Sequence, residues 1–325
     1  MTISSGEKVL LAKIKKALRR KLGACYMCVL LLVLFFKNSD AAASWVSQGL
    51  DICARKLIPS LFPFMVISSL MVQSGAGEKI FSIFKRPICR LFGVGKICCA
   101  PIILGWLCGF PVGAKCAAEL LSQGEVDLEE YKRILCISST PSPAFLIGAV
   151  GRGMLKNTSA GILLYVISVA SCVIIGIFIN ILSGRTEGPS SLSPCRSNEG
   201  FAVCLTRAVT ESSCGMLYVC GFVIFFSSFL GAMEGVLSFV DLSPVCKAII
   251  FCFFEITSGL SKLSVCPVPS FSLMAMAVGW SGLSVHFQTS AMCGSEKKEF
   301  GSYILSHTIK AAICLILGAI ASIFI

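Results

Sequence analysis

Four short stretches carry the residues whose chemistry stands out against an otherwise apolar chain. In Gly109-Phe110-Pro111-Val112-Gly113, a proline without an amide hydrogen lies between two glycines. Such a stretch ends one half-helix and begins another, which exposes amides or carbonyls to a polar solute or an ion. The bland alternative is a packing kink. In Ser138 to Pro143, the hydroxyls of Ser139, Thr140 and Ser142 surround two prolines, so freed carbonyls and hydroxyls line a cavity or repair the kink locally. Glu255-Ile256-Thr257-Ser258-Gly259 is sharper, because a carboxylate inside a membrane costs about 2.5–3.5 kcal/mol and is expected to face partners or water. Its alternatives are a place near an interface or a pair with Lys262. The last stretch holds Ser281, Gly282, Ser284, His286 and Gln288. One unbroken helix puts Gly279, Gly282 and His286 on one face, where His286 either relays protons or bonds a neighbouring helix. The expected break points are Gly113 in the first stretch and Gly259 in the third.

Other chemistries lack their parts. There is no glycine-rich phosphate loop, nucleophile elbow or zinc-protease motif. With only His286 and His307 as histidines, a paired nucleophile and base for intramembrane hydrolysis is hard to assemble, so no catalytic residues, no cofactor and no enzyme activity are expected. The 19 cysteines are scattered through apolar stretches and read as small hydrophobes. Cys25 and Cys28 have metal-knuckle spacing but no second pair, so no metal is expected. Asp127 and Glu130 read as a capping box at a surface helix start.

The elements that must position these stretches are membrane helices. Of 325 residues 55% are apolar and 14% charged, with a mean hydropathy of +0.85, whereas soluble domains are about a quarter charged. Lys156 to Arg185 encloses 28 uncharged residues and Glu211 to Glu234 encloses 22, each enough for a bilayer core that takes about 20. Nine apolar segments follow from this pattern: a first run from Leu22 to Phe36, then about 57–74, 97–114, 134–151, 159–182, 212–233, 246–261, 271–293 and 303–325. The lipid bilayer is therefore the first partner.

Charge orients them. The net charge is +11, and residues 8–21 carry seven Lys or Arg and no acid. They read as cytoplasmic, as an amphipathic helix on an anionic leaflet, and not as a nucleic-acid site, since no aromatics interleave the charges. The first apolar run is either a retained helix that residues 44–50 extend or a cleaved signal. Linkers 78–96 and 183–207 are basic and cytoplasmic, 234–245 holds only Glu234 and Asp241 and lies outside, and Lys297 with Lys298 favours the cytoplasm again.

Three apolar segments lie between the first two cytoplasmic linkers, and an even number of crossings is required. One segment must therefore enter and return, and 97–118 is the broken one. The same shortfall recurs in the second half, where 246–263 is short and broken. The expectation is an all-α polytopic membrane protein of the cell membrane: a basic N-terminus and first helix (1–40), a first half (41–182), a cytoplasmic loop (183–204) and a second half (205–325). The two halves form an inverted repeat with re-entrant broken helices, and solute sites lie at the breaks.

LIPSLFPFMVISSLM (57–71), GWLCGFPVGAK (105–115), STPSPAFLIGAVG (139–151), EITSGLSKL (255–263) and GWSGLSVHFQ (279–288) resemble, in order, the YlbJ family of sporulation integral membrane proteins. The resemblance implies two Gate-like halves of the nucleoside-transporter and FeoB type and a role in endospore formation. It is compatible with a small polar solute such as a nucleoside, and with a coupling ion. The competing expectation is a non-transporting scaffold that binds partner proteins in the sporulating cell. A permease requires the four stretches to converge on one cavity, whereas a scaffold has them packed and dry.

Overall fold

The structure, a computed structural model, describes residues 5–184, 200–266, 271–293 and 300–323. Among these residues every regular element is helical. In chain order they are α1 (Ser5–Lys37), α2 (Ser39–Ile52), a π-helical turn (Cys53–Leu57), α3 (Ile58–Gln73), α4 (Ala76–Ile80) and α5 (Ser82–Phe92). Next come α6 (Cys99–Cys108), α7 (Val112–Ser122), α8 (Leu128–Ser138), a π-helix (Ala144–Met154), α9 (Thr158–Ser183) and α10 (Phe201–Leu237). The chain ends with α11 (Pro244–Phe254), α12 (Ile256–Ser264), α13 (Phe271–Trp280), α14 (Leu283–Met292) and α15 (Phe300–Ala321).

Among the described residues three helices are long and apolar enough to cross a membrane, within α9, α10 and α15, or up to five spans if each of two sharply bent pairs counts as one. At about 1.5 Å per residue, α9 reaches about 39 Å and α10 about 55 Å against a hydrocarbon core of about 30 Å. On α9, Ile162, Val166, Ile174, Phe178 and Ile181 are exposed at roughly helical spacing, while Gly161, Ser168, Ser171 and Gly176 are buried together with Leu164, Ile167 and Ile175. Large apolar residues thus make up the outward face, and small and hydroxyl residues join apolar ones against other helices, as expected where lipid is the solvent.

Several expectations need correction. The basic N-terminal stretch is helical and continuous with the first apolar run, both within α1, which runs unbroken to Lys37. Residues 44–50 do not extend that helix, because the chain turns by 94° between α1 and α2. Segments 134–151 and 271–293 are not continuous helices with polar middles. The first is split by extended residues between α8 and the π-helix, where Pro141 and Pro143 supply no amide to continue the helix. The second is split at Ser281 and Gly282, both at positive φ (73° and 84°). Gly279 therefore sits on a different helix from His286. The central loop residues 185–199, Lys297 and Lys298 lie outside the described residues.

Segments 97–118 and 246–263 fold back as hairpins. Gly105 of α6 meets Gly113 of α7 closely enough that a Cβ on Gly113 would fall 2.9 Å from the Gly105 Cα, and Gly259 of α12 abuts the backbone of Cys252 on α11. The turns are not at Gly113 and Gly259. They lie at Gly109-Phe110-Pro111, with Gly109 at φ 82° and a cis Phe110–Pro111 peptide, and at Glu255, whose backbone is extended. The two glycines sit inside the returning arms, where the absent side chain lets the arms touch. The same order of elements thus occurs twice: hairpin, broken helix, long helix. The apolar core draws on both runs, since Tyr303 packs with Ile134 and Ile137, and Leu146 and Leu164 pack with Ile256 and Leu260.

Candidate functional site

Each hairpin tip docks on the broken helix that follows it. At the first, the Phe110 amide donates to the Thr140 carbonyl at 2.9 Å. Around that carbonyl, Ser139 Oγ donates back to Leu135 O at 2.9 Å, Thr140 Oγ1 shares a short hydrogen bond with Ser168 Oγ, and Ser142 Oγ accepts from the Phe145 amide at 3.2 Å, capping the π-helix. These bonds replace the ladder that the two prolines interrupt.

At the second tip, Glu255 is the N-cap of α12. Its Oε1 accepts from the Thr257 amide at 2.9 Å and its Oε2 from the Ser258 amide at 2.7 Å. The carboxylate is 3% exposed and is held by amide hydrogen bonds and the positive end of the helix dipole. Lys262 is not its partner: it pairs with Glu234 at 2.7 Å and lies 4.5 Å from the Phe251 ring centroid. Gly282 of the second break packs on the backbone of this tip, next to Ile256 and Glu255, and Trp280 Nε1 donates to Phe253 O at 3.0 Å.

The two tips and the two broken helices meet at one cavity of about 200 Å³. Its polar points are Ser142, Glu255, Thr257 and Gln288, with Phe110 and Phe145 among the apolar walls. Gln288 Nε2 donates to Ser284 Oγ at 3.1 Å, which leaves its amide oxygen as an acceptor. Of the candidate residues, Phe110, Ser142, Glu255, Thr257 and Gln288 line the cavity. Gly109, Pro111, Gly113, Ser139, Thr140, Ser258, Gly259, Ser281 and Gly282 lie behind it and shape the tips and breaks. His286 is also behind it, between Trp280 and His307 with ring centroids 4.6 and 5.0 Å away. Neither ring nitrogen has a hydrogen-bond partner, so the expected bond to a neighbouring helix is not made.

Two sets of polar residues were not singled out in the sequence. Lys310 on α15 is fully buried and donates to the Ser139 carbonyl. Lys115 on α7 sits 3.4 Å from Glu119 and 3.9 Å from Glu211 on α10, with Ser69 and Gln73 of α3 completing the network. Lys115 and Glu119 were legible as an i,i+4 pair, but the partner on α10 is about a hundred residues away. The capping reading at Asp127 holds, since its side chain accepts from the Glu130 amide at 2.7 Å. One Glu130 oxygen takes the Gly95 amide at 2.7 Å.

An outward apolar surface, buried small and hydroxyl residues, and helices that break in the middle of the fold define an all-α, polytopic integral membrane protein. The chain is 27% identical over 316 aligned residues, 85% of its own length and 75% of the relative's, to the sporulation integral membrane protein YlbJ of Bacillus subtilis (strain 168). That similarity bears out the family resemblance of the motifs and supports a sporulation-associated integral membrane protein. No protein-family model matches the chain, and no solved structure matches it.

Proposed function

We propose that the protein is a permease-like carrier or binding protein for a small polar solute, built from two Gate-like halves (41–182 and 205–325) in inverted orientation and acting without catalysis. The observation that carries this reading is the meeting of both hairpin tips, the first helix break and α14 at one cavity. A dry scaffold predicts packed tips instead. The volume, about 200 Å³, is below the ~300–1,000 Å³ of drug-sized ligand sites, which favours a small solute. Glu255, Gln288, Thr257 and Ser142 offer acceptors and donors for hydroxyl or amino groups, and Phe110 and Phe145 offer flat apolar faces, a combination that suits a nucleoside. The orientation that goes with this reading puts the N-terminus in the cytoplasm.

The test is a thermal-shift screen of the purified protein with nucleosides, followed by uptake into proteoliposomes. A ligand at a hundred times its Kd adds about 2.7 kcal/mol to stability, an unmistakable shift. Gln288→Ala should abolish the shift for that ligand while leaving the unliganded melting temperature within a few degrees. If no nucleoside shifts the protein and none enters proteoliposomes above the empty control, the nucleoside reading fails.

A further inference from the structure

In a regular helix each carbonyl is bonded by the amide four residues on. Pro141 and Pro143 have no such amide, so the Ile137 and Ser139 carbonyls are freed. The first is taken by Trp106, whose Nε1 donates to Ile137 O at 2.8 Å. The second is taken by Lys310, reaching across from α15. Lys310 has no exposed surface. The groups within electrostatic range of its ammonium include Cys136, Cys314, His286 and His307, and no carboxylate among the described residues forms an ion pair with it. What it meets is the carboxyl end of α8, where the helix dipole gathers about half a negative charge. At the next residue of the break, the Thr140 hydroxyl is paired with that of Ser168.

Carbonyl and hydroxyl oxygens at the end of a broken membrane helix are the ligands that hold small monovalent cations. Here the Lys310 side chain stands at that carbonyl. We propose that the Lys310 ammonium is a built-in cation, filling at the first break a position that would otherwise bind a free monovalent cation, and that removing it opens a monovalent-cation site on the Ser139 carbonyl. The break that floors the cavity through Pro141 and Ser142 then keeps its shape without a bound ion. The inference concerns the break itself and does not depend on which solute the cavity takes.

The experiment is melting of the purified full-length protein, followed by tryptophan fluorescence, in sodium, potassium, ammonium or choline chloride at one ionic strength. The wild type should melt at the same temperature in all four. Lys310→Ala should melt about 5 °C or more lower in choline and regain at least half of that loss in one of the small cations. A variant as stable as wild type in choline, a loss that no small cation restores, or a wild type that itself prefers a small cation overturns the proposal. If Lys310→Ala does not accumulate, Lys310→Arg and Lys310→Met decide. Accumulation of Arg but not Met supports the proposal, and both or neither accumulating overturns it.

Discussion

The carboxylate of Glu255 has four lone-pair sites, and the Thr257 and Ser258 amides claim one on each oxygen. The others are free to meet hydrogen-bond donors in the cavity. Glu255→Gln keeps one acceptor oxygen and loses the charge, so one amide at the start of α12 is left without its partner. The expected cost is about 1–2 kcal/mol of stability, read as a fall of a few degrees in melting temperature, with membrane accumulation retained. Any solute found by the thermal-shift screen should bind at least tenfold more weakly, the equivalent of about 1.4 kcal/mol. A Gln variant that melts and binds as wild type would remove Glu255 from both roles. Its candidacy was legible because a lone carboxylate in an apolar run is conspicuous. Its capping role was not, since glutamate is outside the usual N-cap set of Ser, Thr, Asp and Asn.

Hairpins make the difference at the scale of elements. A Cβ at Gly259 would fall under 3.0 Å from the Cys252 backbone, whereas one at Gly221 on α10 meets nothing within 4 Å. Gly259→Ala must therefore splay the arms and is expected to destabilise the protein by about 1–3 kcal/mol. Gly221→Ala should be neutral or stabilising by up to about 1 kcal/mol, as in any open helix. Thermal melting of the two variants side by side checks both, and equal behaviour would show that the arms are not in close contact. These glycines also explain where sequence reading went astray. A glycine that admits a neighbouring backbone and one that ends a helix leave the same local signal, so within the expected stretch 109–113 the break was centred on Gly113, and the second was put at Gly259 instead of at Glu255. Proline acts locally, through its own missing amide, so Pro111 marked its turn in the sequence, whereas Pro141 and Pro143 were read inside a continuous span that they in fact split.

Across the whole molecule, the class was legible through hydropathy and charge, both sums over many residues, and so were two of the four interrupted segments; the breaks within 134–151 and 271–293 were not. Sequence could not give Lys310, whose partner Ser139 is 171 positions away. The proposed inverted arrangement is tested by topology. Phe239, 89% exposed at the end of α10, lies in the acidic linker, and Arg90 lies in a basic one. With native cysteines replaced, a cysteine at 239 should be labelled by an impermeant reagent from outside the cell and one at 90 only after the membrane is opened. Labelling of 239 from the cytoplasmic side would end the inverted-repeat proposal.

The docking of each hairpin on the break that follows it sets a timetable for biogenesis. Phe110 waits for Thr140, thirty residues later, and Ile256 for Gly282, twenty-six later. At ~5–20 residues per second, each partner leaves the ribosome about 1–6 s after its hairpin. During that interval the bare tip cannot rest in lipid, where each unsatisfied backbone group costs several kcal/mol, so the insertion machinery must shelter it. The Ser139 carbonyl waits far longer, until Lys310 arrives on the last helix. Until that helix enters, the first half of the protein remains an unfinished client, open to the proteases that survey the membrane.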